Sequence, residues 1–475
     1  MRAPAVNSYL AATLKLSTSY RDIWKVSLPI IIGSAAQNVV ALTDSVFLYY
    51  RSEEDFAAIG FVATFYIIVA AIGFGFSRGG QILIARLVGQ GKREDVGRTF
   101  YSMVYFELAL AIGLFTFMSL GAYWLFAGFV DSDIIFDKAL EYLDTRKWGV
   151  FASYLGVACI ALYTGIARPV FVIVDTFILA ATNIFLDRAL IFGMYGFPEM
   201  GIAGAGLAST IAEYVALGVF LVYMVLDRKN RVYVINKLPK WNPQIIREIV
   251  GLSVPIVTMS VIGLGTAFIF FGLVENFGER ALAVTNIVRV AYLILSIPAW
   301  GFCTGVNTLA SYFVGKREYH HVKTVLWRTA YLCLGITTLM ALPLLVAPKK
   351  MLYPILGDER AYLIGEAYPV FWVLWGILIT FSFGSIFFNG LIGVGRTKLA
   401  LQIQSACATV YVGLIFLVVK SSWGNIVWAW SAEIAYWLLM FGATFIFFRR
   451  KRWTDEAGGG AAGAGEGFAE AKKQA

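Results

Sequence analysis

Arg21–Asp22–Ile23, followed by Ser27–Leu28–Pro29–Ile30, returns as Arg247–Glu248–Ile249, followed by Ser253–Val254–Pro255–Ile256, at an offset of 226 residues. The same offset carries Tyr66 to Tyr292, Gly75–Phe76 to Gly301–Phe302, Gly79 to Gly305, Val88–Gly89 to Val314–Gly315 and Tyr105 to Tyr331, without a gap. Chance matching of apolar text does not hold one register over such a length. The chain is one structural unit written twice. The copies cover residues 21–226 and 247–448 and are joined by a basic linker, 227–246.

Composition says which solvent the repeat lives in. Of the 475 residues, 59% are hydrophobic and 15% charged, against about 45–50% and about 25% in soluble domains. Mean hydropathy is +0.72. The apolar runs, such as 59–76 and 202–226, are long and unbroken. About 20 apolar residues cross a bilayer as a helix, whereas an outer-membrane barrel alternates polarity in segments of about ten. The reading is an all-α integral membrane protein with twelve transmembrane helices in two pseudo-symmetric six-helix lobes. The helices are expected at 24–49, 56–85, 96–126, 139–166, 169–192 and 201–226, then 249–274, 281–314, 322–346, 361–386, 399–419 and 426–448. Each copy has an even number of spans, so both point the same way and an axis along the membrane normal should relate them. Secondary transporters are commonly built so.

The net charge of +9 is spread over loops rather than gathered into a nucleic-acid patch. Even-numbered connections carry Lys92, Arg93 and Arg98, then Arg168, the linker's Arg228 to Lys240, Lys316 with Arg317 and Lys323, and Arg396 with Lys398. Odd-numbered ones carry Glu53–Glu54–Asp55, Asp131, Asp133, Asp137, Glu199, Glu275 and Glu279; Lys349–Lys350 is the exception, with Asp358 and Glu359 close by. Positive charge stays on the cytoplasmic side. Both termini are therefore expected in the cytoplasm, residues 1–20 as a leading segment and 449–475 as a disordered Gly/Ala-rich tail. Residues 1–20 lack a basic cluster followed by an apolar core, so the first span is expected to act as its own insertion signal.

Enzyme classes find little support. His320–His321, the only histidines, have no carboxylate at metal-ligand spacing, and the four cysteines lie apart within apolar runs. Neither a metal site nor a disulfide framework is expected. Gly75–Phe76–Ser77–Arg78–Gly79 has the outline of a nucleophile elbow, but an elbow needs a strand-to-helix turn and this stretch is helical. Gly393 to Thr397 is too short for a phosphate-cradling loop. No cofactor is expected.

Several segments resemble the multidrug and toxic compound extrusion (MATE) transporters. They are Leu28–Pro29 with Thr43–Asp44 in the first span, Arg86–Leu87–Val88–Gly89–Gln90–Gly91 closing the second, and Asn183–Ile184–Phe185–Leu186–Asp187 running on to the Gly201–Ile202–Ala203–Gly204–Ala205–Gly206–Leu207–Ala208 stretch. The resemblance covers roughly 21–448 and implies export of organic, cationic or amphipathic compounds across the inner membrane in exchange for H+ or Na+. It lies nearest the branch related to the DNA-damage-inducible proteins. That branch has an aspartate in the first helix and an asparagine–aspartate pair in the fifth, matched by Asp44, Asn183 and Asp187. The acids of the sodium-driven branch in helices seven and ten have no counterpart in 249–274 or 369–386, so protons are preferred. A lipid-linked-saccharide flippase of the same superfamily is the alternative.

Charges inside a bilayer are costly and mark function. Asp44 falls in the outer part of the first span. Asn183 and Asp187 are four apart and share a helix face, as do Ser209 and Glu213. With Tyr142 and Thr210 they are expected to converge in the outer half of the first lobe, although for Ser209 and Thr210 helix packing is the leading expectation. Two carboxylates held together cannot both ionise cheaply, and a cationic cargo competing with a proton for them is enough for antiport. The bland alternative pairs Arg188 with one of them. Asp175 is expected to meet Arg168, while Glu107, Arg289 and Glu433 are expected to form packing pairs, with Arg289 lining the second lobe's cavity as the alternative. Pro29 is a candidate hinge unless it lies in a first turn, where proline is merely tolerated. Two complete lobes are compatible with a working monomer embedded in lipid, with small organic molecules as its only other partners.

Overall fold

The computed structural model describes residues 16–227, 232–233, 239, 242–356, 362–450 and 453, with the side chains of 37–42 and 354–356 set aside. The expected tail beyond Trp453, most of the leading segment, most of the linker's basic residues, and Asp358 with Glu359 lie outside the described residues. Every regular element among those described is helical. The first half comprises α1 (Tyr20–Arg51), α2 (Glu53–Gly89), α3 (Arg93–Leu120), α4 (Ala122–Ala127), α5 (Asp133–Arg146), α6 (Gly149–Gly165), α7 (Val170–Ile191) and α8 (Gly201–Leu226). The second comprises α9 (Pro243–Val274), α10 (Glu279–Gly315), α11 (Tyr319–Val346), α12 (Pro348–Leu356), α13 (Tyr362–Gly393), α14 (Thr397–Lys420) and α15 (Ile426–Arg449). Ten of these are long and apolar enough to cross a membrane, and α5 with α6 add an eleventh if the bent pair counts as one span. The 32-residue α1 precedes them.

The chain divides into two compact units, Met1–Val250 and Gly251–Ala475. The repeat is visible in helix lengths. Helices α2 and α10 both have 37 residues, and α3 and α11 both have 28. A 37-residue helix is roughly 55 Å long at about 1.5 Å per residue, so α2 and α10 are each well longer than a hydrocarbon core of about 30 Å. Each unit has its own apolar core. Val62, Val69, Phe126, Leu143 and Tyr154 belong to the first, and Val288, Phe371, Leu374, Ile377 and Ile415 to the second.

Helix starts follow local chemistry. Ser19 caps α1, its hydroxyl accepting the backbone N–H of Asp22 at 3.2 Å, and Ser52 caps α2 by accepting that of Asp55 at 3.0 Å. Two of the expected spans are broken. The third stops at Leu120 and resumes as α4 after Gly121. The fourth, read as one helix over 139–166, begins at Asp133 and bends by 54° between α5 and α6. The bend has a local reason. A Cβ on Gly149 would collide with the Arg146 guanidinium and lie 2.6 Å from a Glu213 carboxylate oxygen, so the break gives Arg146 its route across the first turn of α6.

Candidate functional site

The first unit's polar cluster depends on how closely α8 approaches its neighbours. A Cβ on Gly204 would lie 2.7 Å from the Leu190 carbonyl oxygen of α7, and one on Gly206 would lie 2.7 Å from the Tyr142 carbonyl oxygen of α5. Only glycine permits both approaches. Hydroxyls then lock the seam. Thr145 Oγ1 donates to the carbonyls of Tyr142 and Ala203, each at 3.0 Å, and Thr210 Oγ1 donates to the Thr145 carbonyl at 3.0 Å.

That docking carries Ser209 to the junction of α1, α7 and α8. Asn183 Nδ2 donates to Ser209 Oγ at 3.2 Å, and Ser209 Oγ donates to Asp44 Oδ2 at 3.4 Å. The carboxyl groups of Asp44 and Asp187 are direct neighbours. Asn183 and Asp187 have no solvent exposure. Both Asp187 oxygens, Asp44 Oδ1 and Asn183 Oδ1 are buried without a hydrogen-bond donor among the described residues. A buried carboxylate left in that state is costly.

Tyr142 is buried on α5, with its phenol within electrostatic range of both carboxyls. The other two expected site residues are held elsewhere. Thr210 is committed to the Thr145 carbonyl. The Glu213 carboxylate is gripped in parallel by Arg146, whose Nη1 and Nη2 donate to its two oxygens at 2.8 and 2.5 Å. The guanidinium also lies over the Tyr66 ring, 4.1 Å from its centroid. Arg146 is the residue missed in the sequence reading. Its signal was legible, as a basic side chain within the expected fourth span. Its charge also acts on Asp44, linking the ion pair to the carboxyl pair.

Other expected partners are rearranged. Arg188 meets neither carboxylate and donates from Nε to Met194 Sδ at 3.4 Å. Arg168 pairs with Asp227 at 2.7 Å rather than with Asp175. Glu107 accepts from Ser77 Oγ at 2.6 Å, so the serine of the elbow-like motif is engaged inside α2. Pro29 lies inside α1 and not in its first turn, which deprives the Lys25 carbonyl of its helical donor. Among the described residues no cluster of three His, Cys, Asp or Glu side chains could hold a metal ion.

The family model described as MatE matches residues 29–188 and again 255–419, more than half of the chain. A curated relative from Thermotoga maritima, named "Probable multidrug resistance protein NorM", is 23% identical over 454 residues, covering 92% of this chain and 94% of the relative. Among solved structures, one described as the outward-facing conformation of a multidrug resistance MATE family transporter of the MOP superfamily superposes with a TM-score of 0.83 at 18% identity, covering 92% of this chain and 96% of that one. Another, described as MATE in the bent conformation, gives a TM-score of 0.83 at 16% identity and covers 97% and 100%. At those identities the structural likeness speaks for the fold.

Proposed function

The chain belongs to the MATE family of membrane transporters, and from that premise we propose that it is a secondary antiporter exporting organic cations or amphipathic compounds in exchange for protons. The observation that carries this reading is the Asp44–Asp187 carboxyl pair, buried together with three of its four oxygens lacking a donor among the described residues. Two such groups titrate as one unit, so a proton is bound to the pair rather than to either carboxyl alone. Loading one proton from outside reduces the charge of the pair from two negatives to one. Cargo carrying positive charge favours its release to the inside, and this competition couples the two fluxes.

Within the family, the meeting of Asp44, Asn183 and Asp187 supports the branch related to the DNA-damage-inducible proteins. The twelve spans form two six-helix lobes that alternate access, with both termini in the cytoplasm of a cell bounded by the inner membrane. The protein acts as a monomer. Pro29, within α1, permits a bend of the helix that carries Asp44.

The test uses purified protein in liposomes with a fluorescent organic cation. A proton gradient and a sodium gradient are imposed separately on wild type and Asp44→Asn. Proton-driven movement abolished in the variant is the expected result. Movement driven by sodium alone would overturn the choice of ion. No movement under either gradient, with a lipid-linked saccharide flipped instead, would replace efflux with the flippase function.

A further inference from the structure

A second polar node stands beyond the carboxyl pair, towards the C-terminal end of α1. Its centre is Asp55, in the first turn of α2, which is fully buried. One of its carboxylate oxygens pairs with Arg51, the last residue of α1, and the other with Lys138 of α5. The Arg51 guanidinium reaches further, and its Nη2 donates to Glu199 at 3.2 Å in the connection before α8. It also lies against Gly201, the first residue of α8, where φ is +57° and a Cβ would collide with it. The backbone N–H of Met200 donates to the Leu190 carbonyl at 2.8 Å, which fastens this connection to the end of α7.

The node repeats, a turn or two further along, the convergence of helices that makes the carboxyl site. Arg51 follows Asp44 by seven residues, so it lies on the same face of α1, roughly 10 Å further along at about 1.5 Å per residue. Lys138 precedes Tyr142 by four and shares its face of α5. Glu199 and Gly201 lead into α8, which carries Ser209. Drawing α1 away from α5 would leave a buried carboxylate with one cation instead of two, and stranding charge away from water is costly. The carboxyl pair has no comparable tie. Asp44 is joined to α8 by a long hydrogen bond from Ser209 at 3.4 Å, and it faces a carboxyl that repels it whenever both are ionised.

We infer that Asp55, with Arg51 and Lys138, positions the carboxyl pair, clamping α1 against α5 and the start of α8 so that Asp44 stays beside Asp187 against their mutual repulsion. Asp55 acts through the helix that bears Asp44 and is a positioning residue. The inference rests on the proposed proton-binding role of that pair. Among the described residues, the other charged and titratable groups facing the pair are Tyr142 and Arg146, both on α5, so a slip of α1 along α5 changes the distance from Asp44 to each. Positioning and plain charge removal predict different signs. Once α1 slips, the two carboxyls separate, lose their mutual repulsion and bind a proton more weakly, whichever member of the node was removed. By Coulomb's law alone, removing the Asp55 charge weakens proton binding at the pair, whereas removing the Lys138 charge strengthens it.

The experiment is a pH titration of the full chain in nanodiscs, read by infrared difference spectroscopy as the protonated-carboxyl stretching band that Asp187→Asn removes. Wild type is compared with Asp55→Asn, Lys138→Met and Asp55→Glu, each confirmed monodisperse. Asp55→Asn is expected to weaken proton binding by roughly ten-fold, one pH unit in the midpoint, and Lys138→Met by about three-fold or more. Asp55→Glu should recover part of the loss. Should Asp55→Asn fail to fold, Lys138→Met and Arg51→Met carry the test. Proton binding by Lys138→Met that is strengthened, or within about two-fold of wild type, overturns the inference and leaves the antiport reading untouched. A wild type that titrates yet shows no ion-driven efflux loses the antiport reading, while the sign in Lys138→Met still decides the positioning role. Absence of any titrating band that depends on Asp187 overturns both.

Discussion

Breaking the Arg146–Glu213 pair measures how much of the first unit's stability rests on one buried ion pair. Both side chains are nearly enclosed, at 8% and 14% exposure, and the two hydrogen bonds are parallel. Removing one partner of such a pair strands the other charge and costs about 3–5 kcal/mol. For a unit of this size each kcal/mol moves the melting temperature by about 2–4 °C, so Glu213→Leu and Arg146→Met should each lower it by roughly 6–20 °C. Replacing both with apolar residues of similar volume removes the stranded charge, and such replacements are often neutral. The double variant Arg146→Met/Glu213→Leu should therefore recover most of the loss. The assay is the apparent melting temperature in detergent, read by size-exclusion chromatography after heating, for all four species as a double-mutant cycle. A double variant destabilised by the sum of the singles would refute the reasoning, since it would mean the two groups act independently. So would a single variant within 1–2 °C of wild type, on the same conversion of about 2–4 °C per kcal/mol.

Asp187→Asn keeps volume and removes the titratable group, so proton-driven efflux in liposomes should vanish while the melting temperature stays within a few degrees; retained efflux would separate the carboxyl pair from coupling. Gly204→Ala places a methyl 2.7 Å from the Leu190 carbonyl oxygen, an overpacking that costs about 1–3 kcal/mol, and should depress both thermal stability and transport. Pro29→Ala restores a donor to the Lys25 carbonyl, so the variant should be at least as heat-stable as wild type yet slower in efflux, and unchanged transport would exclude a hinge there. Ser209→Ala removes the hydroxyl between Asn183 and Asp44 and should reduce efflux several-fold without the complete loss expected at Asp187.

The helices of this protein were largely legible because their signal is one-dimensional. A bilayer-length apolar run is helical wherever it occurs, since every backbone polar group must be satisfied within it. The 226-residue repeat reappears as helices of matched length, and the candidate residues Asp44, Asn183, Asp187 and Ser209 meet as their spacing and helix direction suggested. Asn183 and Asp187 were the easiest to read, lying four apart on one helix. Asp44 and Ser209 were placed only by depth along their helices, and the hydrogen bond that joins them needed the docking of α1, α7 and α8.

The partner of each buried charge was decided by tertiary structure alone. Glu213 has the same sequence credentials as Asp187, an acid inside a span beside small residues, yet Arg146 neutralises it, while no basic side chain among the described residues pairs with Asp187. What separates them is the break before Gly149, which turns the guanidinium toward α8. Glu433 is the converse case. Sequence marked it as one more intramembrane acid expected to find a packing partner, and packing gave it the indole N–H of Trp437 at 3.3 Å. Hydropathy and spacing are properties of a chain read in order and determine where helices lie and which faces they bury. Which charges face one another depends on helix rotation and on approaches only glycine allows, and those are set by packing between segments distant in sequence.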